Sequence, residues 1–369
     1  MSFFSGDGIA IDLGSANTTI YLENQGIVLR EPTSVLVMAD DPAQVYAVGG
    51  DAYAMGGRGQ GRFERLSPVM DGAVTDADMA ALLMVSLAER ATGRRKPMEK
   101  AQLLVSMSQG LTKVEKAALI QAVRMTGAKR AVLVKTPVAA ALGAGLKVDD
   151  TRALMIVVLG GGTTEIAVIA SGAIAAARSM RTGTLSMDEA IARHIRREKG
   201  VVIGLTTAED LKCDIGSAEL PEEEAEGAQD GADDKDGKEE DKMEAPDEGE
   251  KVLLKGRDAK TGQPTTVKIT PRDIALGLEG SIALLVDALR DALSRVPPEL
   301  AADILDAGIC LSGGGALLKG LAPRLAAETA VPVSVGEHPH EDVILGLGTL
   351  AADERLLKLL LMTGAAEEL

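Results

Sequence analysis

The apolar positions of this chain form short runs of strand length that end in glycine-rich turns, separated by longer stretches with helical period. Two strand–turn–strand patterns occupy residues 8–22 and 157–168, and a predicted strand at 309–312 runs into a third glycine turn. Amphipathic helices are predicted over residues 76–91 and 112–125, the second opening with the Thr-x-x-Glu spacing of a capping box. This alternation predicts a sheet that is covered by helices.

The remaining pattern gives a coarse secondary structure. Further strands are predicted at residues 27–29, 34–38, 45–48, 103–107, 131–134, 173–177 and 331–335, with a hairpin at 252–269. Further helices are predicted at 137–146, 186–199, 271–295 and 316–329, from 206 onward with a threonine cap, and from 344 to the C-terminus. The buried face of the helix over 76–91 is predicted to consist of Met79, Leu82, Leu83, Leu87 and Ala91.

Composition restricts the class of protein. The 369 residues are too many for one ordinary core, and they suit two domains or one large bilobed domain. The hydrophobic fraction is 46% with 2% aromatics and no tryptophan, which is typical of a soluble globular protein. We expect Cys213 and Cys310 to be buried reduced thiols, and we see neither a signal peptide nor a membrane-spanning run. A cytoplasmic location is therefore expected.

The net charge of -16 is local, because residues 219–250 hold sixteen acids and three lysines. This low-complexity stretch has no aromatic residue, so we interpret it as a disordered insertion. It is either a tolerated solubilising loop or a regulator of assembly through charge repulsion between subunits. No basic stripe with interleaved aromatics is present, so we expect no nucleic-acid partner.

The glycine turns carry the candidate chemistry. In the second pattern, three glycines at 160–162 precede two threonines, so backbone N–H groups can surround an anion. In the first, Asp12 ends a strand and offers a carboxylate to hydrated Mg²⁺. The small-residue turn that follows it offers backbone N–H donors to phosphate. The alternative for both is an ordinary tight hairpin, with Asp12 as a capping residue.

Several motifs resemble the MreB family of bacterial actin homologues. They are DLGSANT at 12–18, GGGTTE at 160–165, MDEAI at 187–191, PPEL at 297–300, and the stretches 26–32, 137–146 and 311–318. The resemblance runs from about residue 8 to 348, and the acidic insertion suggests a divergent paralogue. It implies an α/β, actin-like fold of two domains around a cleft for ATP and Mg²⁺. Domain I would comprise residues 1–136 with 337–369, including subdomain IB at 33–68; domain II would comprise 137–336, including subdomain IIB at 180–268.

The resemblance also implies site residues by position. Asp12 would hold Mg²⁺ through water, and Glu115, helped by Thr164, would position the attacking water. ATP contacts are implied for Ser15, Ala16, Asn17, Gly160, Gly161, Gly162, Thr163, Glu209, Asp210, Leu211, Lys212, Gly313, Gly314, Gly315 and Ala316. From its spacing alone, Glu115 has a second interpretation as a purely structural capping acid.

Two departures from the family pattern affect hydrolysis. The family places aspartate two residues before the first glycine of the second turn, where this chain has Val158, and Gly-Asp where this chain has Thr184 and Leu185. Valine cannot hold a hydrated cation or its waters. We therefore expect ATP binding with weak or absent turnover.

A weak peripheral membrane contact is also expected. Phe3 and Phe4 lie together near the N-terminus, and Arg94, Arg95 and Met98 occupy the loop after the first long helix. The alternative is a frayed terminus and a solvated loop.

Three functions follow. The resemblance implies a filament protein on the inner membrane face that organises cell-wall synthesis and rod shape, with other copies, another MreB and cell-wall elongation membrane proteins as partners. A non-polymerising nucleotide-binding regulator or adaptor is the alternative. A sugar-kinase type phosphotransferase is disfavoured, because the sequence shows no substrate-domain motif.

Overall fold

The computed structural model describes residues 8–56, 61–220 and 252–369. The chain divides into two compact units. Unit 1 contains the described residues of Met1–Met187, Ser281–Leu317 and Leu321–Leu369, and unit 2 contains those of Asp188–Gly280 and Leu318–Gly320.

The elements follow in chain order. The first part contains β1 (Gly8–Leu13), β2 (Asn17–Leu22), β3 (Gly26–Pro32), β4 (Val35–Met38), β5 (Asp41–Val48), α1 (Gly50–Met55), β6 (Phe63–Leu66), β7 (Val69–Met70), β8 (Ala73–Val74), α2 (Ala77–Thr92), β9 (Gln102–Met107), α3 (Lys113–Met125), β10 (Arg130–Lys135) and α4 (Thr136–Gly143). The middle contains β11 (Leu154–Leu159), β12 (Thr164–Ala170), β13 (Ala173–Met180), α5 (Thr184–Lys199), β14 (Val201–Val202), α6 (Leu205–Ile215), β15 (Val252–Asp258) and β16 (Pro264–Ile269). The last part contains α7 (Pro271–Ser294), α8 (Pro298–Ala307), β17 (Ile309–Ser312), α9 (Leu321–Thr329), β18 (Val333–Val335), α10 (Asp342–Ala352), α11 (Glu354–Thr363) and β19 (Ala366–Glu368).

Two mixed sheets form the frame of unit 1. One has the order β19-β10-β9-β1-β2-β3, with β1 parallel to β9 and β9 parallel to β10. The other has the order β13-β12-β11-β17-β18, with β11 parallel to β17 and β17 parallel to β18. The carboxyl ends of parallel strands meet at one edge of a sheet, so the turns that follow β1 and β11 each lie beside the ends of neighbouring strands.

A shared core joins the two sheets. It contains Ala10 and Leu104 of the first sheet, Ile156 of the second, and residues of α4, α10 and α11. Helices α4 and α10 touch through their backbones, because a Cβ atom on Gly346 would lie 1.8 Å from the Ala139 carbonyl oxygen. Glycine is therefore required at that crossing.

Unit 2 is built on a three-stranded sheet of order β14-β15-β16, together with α6 and parts of α5 and α7. Helices α5 and α7 pack closely in this unit, since a Cβ atom on Gly277 would lie 3.3 Å from the Ile191 Cα. Buried Leu254 and Ile269 lie on one face of the β15–β16 hairpin.

The predicted strands and helices are largely confirmed, including the hairpins at both glycine turns, the capping box of α3 and the β15–β16 hairpin. Helix α1, helix α8 and strand β19 were not predicted. The predicted helix at 316–329 is confirmed over α9, but its start is wrong, because a short 3-10 turn at Gly314–Leu317 precedes α9 and Gly320, with a φ of 74°, lies between them.

Three further corrections concern individual side chains. Leu82 is 36% exposed, so it does not belong to the buried face of α2, where Met84 is fully buried instead. Helix α6 begins after Gly204 without a side-chain cap, so the predicted threonine cap is wrong. Cys310 is buried as predicted, whereas Cys213 is exposed.

The acidic stretch lies outside the described residues except for Glu219 and Leu220. The boundaries of the two domains stay a prediction.

Candidate functional site

The first glycine turn links β1 to β2 and is closed by short hydrogen bonds. The Gly14 amide donates to the Asn17 carbonyl at 3.1 Å, and the Thr33 hydroxyl donates to the Gly14 carbonyl at 2.6 Å. Thr33 also lies 2.8 Å from the Thr18 hydroxyl in the buried floor of the turn. The local sequence thereby fixes the position of the small residues between Gly14 and Thr18.

The second glycine turn links β11 to β12 and is held by the start of α5. The Gly160 amide donates to the Thr163 carbonyl at 2.9 Å. The Thr184 and Leu185 amides donate to the Gly160 and Gly161 carbonyls, each at 2.9 Å. In the described part of the chain, the Gly161 and Gly162 amides donate to no other group. Backbone amides of this kind favour an anion.

The two glycine turns contact each other within unit 1. A Cβ atom on Gly161 would lie 2.7 Å from the Ala16 Cβ, and one on Gly162 would lie 2.5 Å from the Ser15 Oγ. The Ser15 hydroxyl oxygen also accepts from the Gly72 amide at 2.9 Å. The structure thus brings together Ser15, Ala16 and the glycine triplet, as the sequence predicts, and leaves no room for a side chain at the second and third glycines.

Asp12 lies at the carboxyl end of β1 and is anchored from the neighbouring strand. The Ser106 hydroxyl donates to Asp12 Oδ1 at 2.7 Å and accepts from the Leu13 amide at 3.2 Å. Burial raises the pKa of Asp12, and the Ser106 hydrogen bond opposes that rise. The carboxylate is therefore fixed in place before any cation binds.

Glu165 is a buried carboxylate that the site prediction did not include. It lies on β12 with 2% of its surface exposed, and its Oε2 accepts from the Gln109 amide at 2.9 Å. Burial raises its pKa to about 7, with a further contribution from the charge of Asp12. The sequence carries a signal for it, since this acid follows two threonines and precedes an uninterrupted apolar run within one strand.

The third glycine turn lies beside the second because β11 and β17 are adjacent parallel strands, with Val158 paired to Ser312. Gly313 has a φ of 84°, and a Cβ atom there would lie 2.4 Å from the Leu159 carbonyl oxygen. A Cβ atom on Gly315 would lie 2.3 Å from the Leu159 Cγ. Gly313, Gly314, Gly315 and Ala316 therefore pass close to the end of β11, where only glycine fits at two of the four positions.

The two residues predicted to position water are already engaged. The Glu115 carboxylate accepts from the Thr112 amide at 2.8 Å and from Arg181 Nη2 at 2.7 and 2.9 Å. Its pKa is lowered, first by the Thr112 backbone hydrogen bond and then by Arg181. The Thr164 hydroxyl donates to the Thr182 carbonyl at 2.7 Å. The capping interpretation of Glu115 is confirmed, and its catalytic role stays a prediction.

The predicted nucleoside residues lie on α6 of unit 2. Lys212 Nζ lies 2.6 Å from Asp188 Oδ1, and both side chains are largely buried, with 10% and 3% exposed. Burial raises the pKa of Asp188 to about 6 despite this partner. Glu209 is half-buried and Asp210 exposed, whereas Leu211 is a core residue with 5% of its surface exposed; their ATP contacts stay predictions.

The residues predicted to contact the membrane differ in their exposure. Phe3 and Phe4 lie outside the described residues, and Arg94 and Arg95 are exposed. Met98 is 1% exposed and packs in the core of unit 1, which corrects the expectation that it lies on the surface of this loop. Among the described residues, no helix is both long and apolar enough to cross a bilayer.

The donor set of unit 1 fits hydrated Mg²⁺. Asp12 supplies a fixed carboxylate, and Ser15 and Thr163 supply hydroxyl oxygens in the two touching turns. Hard oxygen donors in small number suit Mg²⁺, which keeps several waters and binds through one or two carboxylates together with phosphate. Among the described residues, no group of three or more His, Cys, Asp or Glu side chains is arranged to hold a metal ion directly.

Two mixed sheets that share a core and carry glycine turns at the ends of their parallel strands define an actin-like α/β protein. The structure is similar to that of MreB 5 of Spiroplasma citri bound to AMPPNP, with a TM-score of 0.82, 29% identity, and coverage of 98% of this chain and 99% of that chain. The sequence model of the MreB/Mbl protein family matches residues 6–244 and 239–359. This chain belongs to the MreB/Mbl family.

Two named relatives extend the comparison over most of the chain. The cell shape-determining protein MreB of Escherichia coli strain K12 is 36% identical over 348 residues, which cover 94% of this chain and 93% of the relative. The cell shape-determining protein Mbl of Bacillus subtilis strain 168 is 34% identical over 343 residues, which cover 93% and 95% respectively.

Proposed function

We propose that this chain binds ATP with Mg²⁺ through the touching glycine turns of unit 1 and assembles into ATP-dependent filaments. The contact of Gly161 and Gly162 with Ala16 and Ser15 carries the proposal, because it places amide and hydroxyl donors of both turns side by side. The similarity to an MreB 5 structure bound to AMPPNP supports it.

Different residues of unit 1 would bind the phosphates and the hydrated cation. The Gly161 and Gly162 amides and the Ser15 and Thr163 hydroxyls would donate to phosphate oxygens. Asp12, held by Ser106, would accept hydrogen bonds from the waters of the cation. Mg²⁺, when bound, neutralises phosphate charge. Contacts of Gly313–Ala316, Glu209 and Lys212 with the base and sugar stay proposals that rest on the family resemblance.

We propose that turnover is slow. Val158 supplies no carboxylate at the end of β11, and in the sheet of Asp12 the polar residues at the ends of β9 and β10 are Ser106 and, at the start of α4, Thr136. Glu115 is committed to Thr112 and Arg181. Of the acids near the turns, Asp12 is held by Ser106, and Glu165 is protonated for much of the time near neutral pH because its pKa is about 7. A site with so little basic capacity activates water poorly.

In the cell, we propose a filament at the inner face of the membrane that organises cell-wall synthesis and rod shape. The names of the Escherichia coli and Bacillus subtilis relatives support the link to cell shape. Exposed Arg94 and Arg95 supply the charge for a weak contact with anionic lipid, to which Phe3 and Phe4 add apolar surface. Sedimentation with anionic liposomes tests this contact. Partners would be other copies, another MreB and membrane proteins of cell-wall elongation.

Val158 also favours a second candidate, a nucleotide-binding regulator that does not polymerise. Loss of a carboxylate at this position is compatible with a protein that holds ATP as a structural ligand. Assembly separates the two candidates, since both bind nucleotide.

Equilibrium titration of the purified full chain with a fluorescent ATP analogue tests the binding proposal. We expect saturable binding that Mg²⁺ strengthens and that unlabelled ATP displaces. Absence of saturable binding with Mg²⁺ present would overturn the proposal for both candidates.

A further inference from the structure

The outer face of the β15–β16 hairpin in unit 2 is cationic. Residues opposite each other on antiparallel strands share a face, and alternate residues of each strand lie on the same side. Leu253 is paired with Lys268, Lys255 with Thr266, and Arg257 with Pro264. Lys255, Arg257 and Lys268 are exposed and Leu253 is 67% exposed. Three cations and one large apolar side chain therefore occupy a single solvent-facing surface, here called the hairpin face.

The cations of the hairpin face have no acidic partner within the described residues. The acid at the end of β15, Asp258, is used by the turn, where its Oδ1 accepts from the Lys260 amide at 3.0 Å and the Thr261 amide at 2.6 Å. Two other lysines of unit 2 are paired, Lys199 with Asp273 at 2.8 Å and Lys212 with Asp188 at 2.6 Å. The hairpin face is thus a local excess of positive charge in a chain whose net charge is -16.

The acidic stretch enters this same hairpin. Residues 219–250 hold sixteen acids and three lysines, and Glu250 precedes Val252, the first residue of β15, by two positions. Because each residue spans at most about 3.5 Å, Asp247 and Glu248 are within about 20 Å of Leu253 along the chain. Lys268 lies directly across from Leu253 at a Cβ separation of about 5 Å. The tether therefore keeps many carboxylates within reach of the hairpin face.

We propose that the hairpin face, through its cations Lys255, Arg257 and Lys268, is the docking surface for the acidic segment 222–250 of the same chain. Charge complementarity gives the attraction, and the short covalent tether makes the binding intramolecular, at an effective concentration of roughly millimolar or higher. Exposed charges are screened by salt, so docking weakens as ionic strength rises. Docking neutralises part of the segment's charge and covers the face against other anionic partners.

Zero-length carbodiimide crosslinking of the full chain tests the contact directly, because it joins only lysines and carboxylates that touch. An equal mixture of ¹⁵N-labelled and unlabelled chains, dilute and without nucleotide, separates links within a chain from links between copies. We expect Lys255 and Lys268 to link to carboxylates of 222–250 within one chain, with yields that fall about fivefold at about 0.5 M salt. Lys260, in the turn between the two strands, is the internal control. Yields no higher than those of Lys260, or links mainly between labelled and unlabelled chains, would overturn the proposal.

Cleavage by a glutamate-specific protease gives a second readout that does not need the lysines. In Lys255→Glu/Arg257→Glu/Lys268→Glu, the segment is released, so we expect cleavage within 222–250 several-fold faster than in the wild type at low salt. The rates should converge at high salt. The matched control Lys113→Glu/Lys129→Glu/Lys147→Glu changes the net charge equally at exposed positions outside unit 2 and should cleave at the wild-type rate. Equal rates for the wild type and the hairpin variant at low salt would contradict docking.

Discussion

Val158 lies directly opposite Glu165 in the antiparallel pair of β11 and β12. Opposed side chains share a face, so the isopropyl group lies beside a carboxylate whose pKa burial raises to about 7. Val158 is 4% exposed and belongs to the same core as Ile156 and Ala167. The core between the sheets thus extends to the edge of the proposed site, where the family pattern predicts an aspartate.

Val158→Asp should restore a carboxylate at this edge. With Mg²⁺ and ATP, we expect phosphate release to rise about tenfold, because a second charged oxygen donor helps to hold the hydrated ion and its waters. Without ligand, the variant should lose roughly 2 kcal/mol of unfolding free energy, since a charge is then buried beside Glu165. Phosphate-release assays and urea unfolding measure the two effects.

Val158→Asn is the matched control, because it adds polar atoms of the same size without a charge. It should release phosphate at the wild-type rate. If the asparagine and aspartate variants behave alike, the missing carboxylate is not what limits turnover.

Gly162→Ala should weaken nucleotide binding at least about tenfold, because the new methyl group meets the Ser15 Oγ at 2.5 Å and must push the two turns apart. The loss should be visible in the fluorescent nucleotide titration. Gly280→Ala is the control, as the same methyl group there meets no atom within 4 Å. Unchanged affinity in Gly162→Ala would mean that the two turns do not bind phosphate together.

Glu165→Gln should remove a pH dependence of stability. The pKa of Glu165 is about 7 in the folded chain, against an ordinary value of 4.5. The folded chain therefore holds a proton that the unfolded chain releases, and its stabilising contribution, complete below pH 4.5, is lost as the pH rises to about 7. Over this window the wild type should lose on the order of 3 kcal/mol relative to the variant.

Urea unfolding of nucleotide-free protein at pH 4.5, 6 and 7.5, three values spread across the window, measures this difference in unfolding free energy. Glu64→Gln, at an exposed carboxylate, serves as the control and should follow the wild type. Parallel curves for the wild type and Glu165→Gln would show that the buried carboxylate ionises normally.

Lys212→Met should destabilise unit 2 by about 3 kcal/mol, because it leaves Asp188 buried without its partner. The double variant Asp188→Asn/Lys212→Met should recover most of that loss, since no charge is then stranded. Chemical unfolding compares the two. Nucleotide affinity that stays weak in the stable double variant supports the proposed nucleoside contact of Lys212, and wild-type affinity there assigns Lys212 a structural role.

Local patterns were sufficient to predict much of the fold. The glycine turn at Gly160 follows the uniform apolar run of β11, and the capping box of α3 is encoded within four residues. Strand β19 was not predicted because it forms by pairing with β10, more than two hundred residues away in the sequence. The order of strands in each sheet depends on such non-local pairings, which no local pattern carries.

The site was predictable only in part, for a related reason. Glycine turns are visible as motifs, but the partners of a polar side chain are not. The engagement of Glu115 by Arg181 and of Lys212 by Asp188 depends on which elements pack together. The burial that raises the pKa of Glu165 likewise comes from neighbouring strands, although its position within an apolar strand was a usable signal.

Electron microscopy of the purified full chain, with ATP, with AMPPNP and without nucleotide, tests the central claim most directly. An actin-like filament protein with slow turnover should form filaments with either nucleotide, at similar protein concentrations, and none without nucleotide. AMPPNP should support assembly because binding rather than hydrolysis drives it. Saturable nucleotide binding without filaments under any of these conditions would contradict the filament account and favour the regulator.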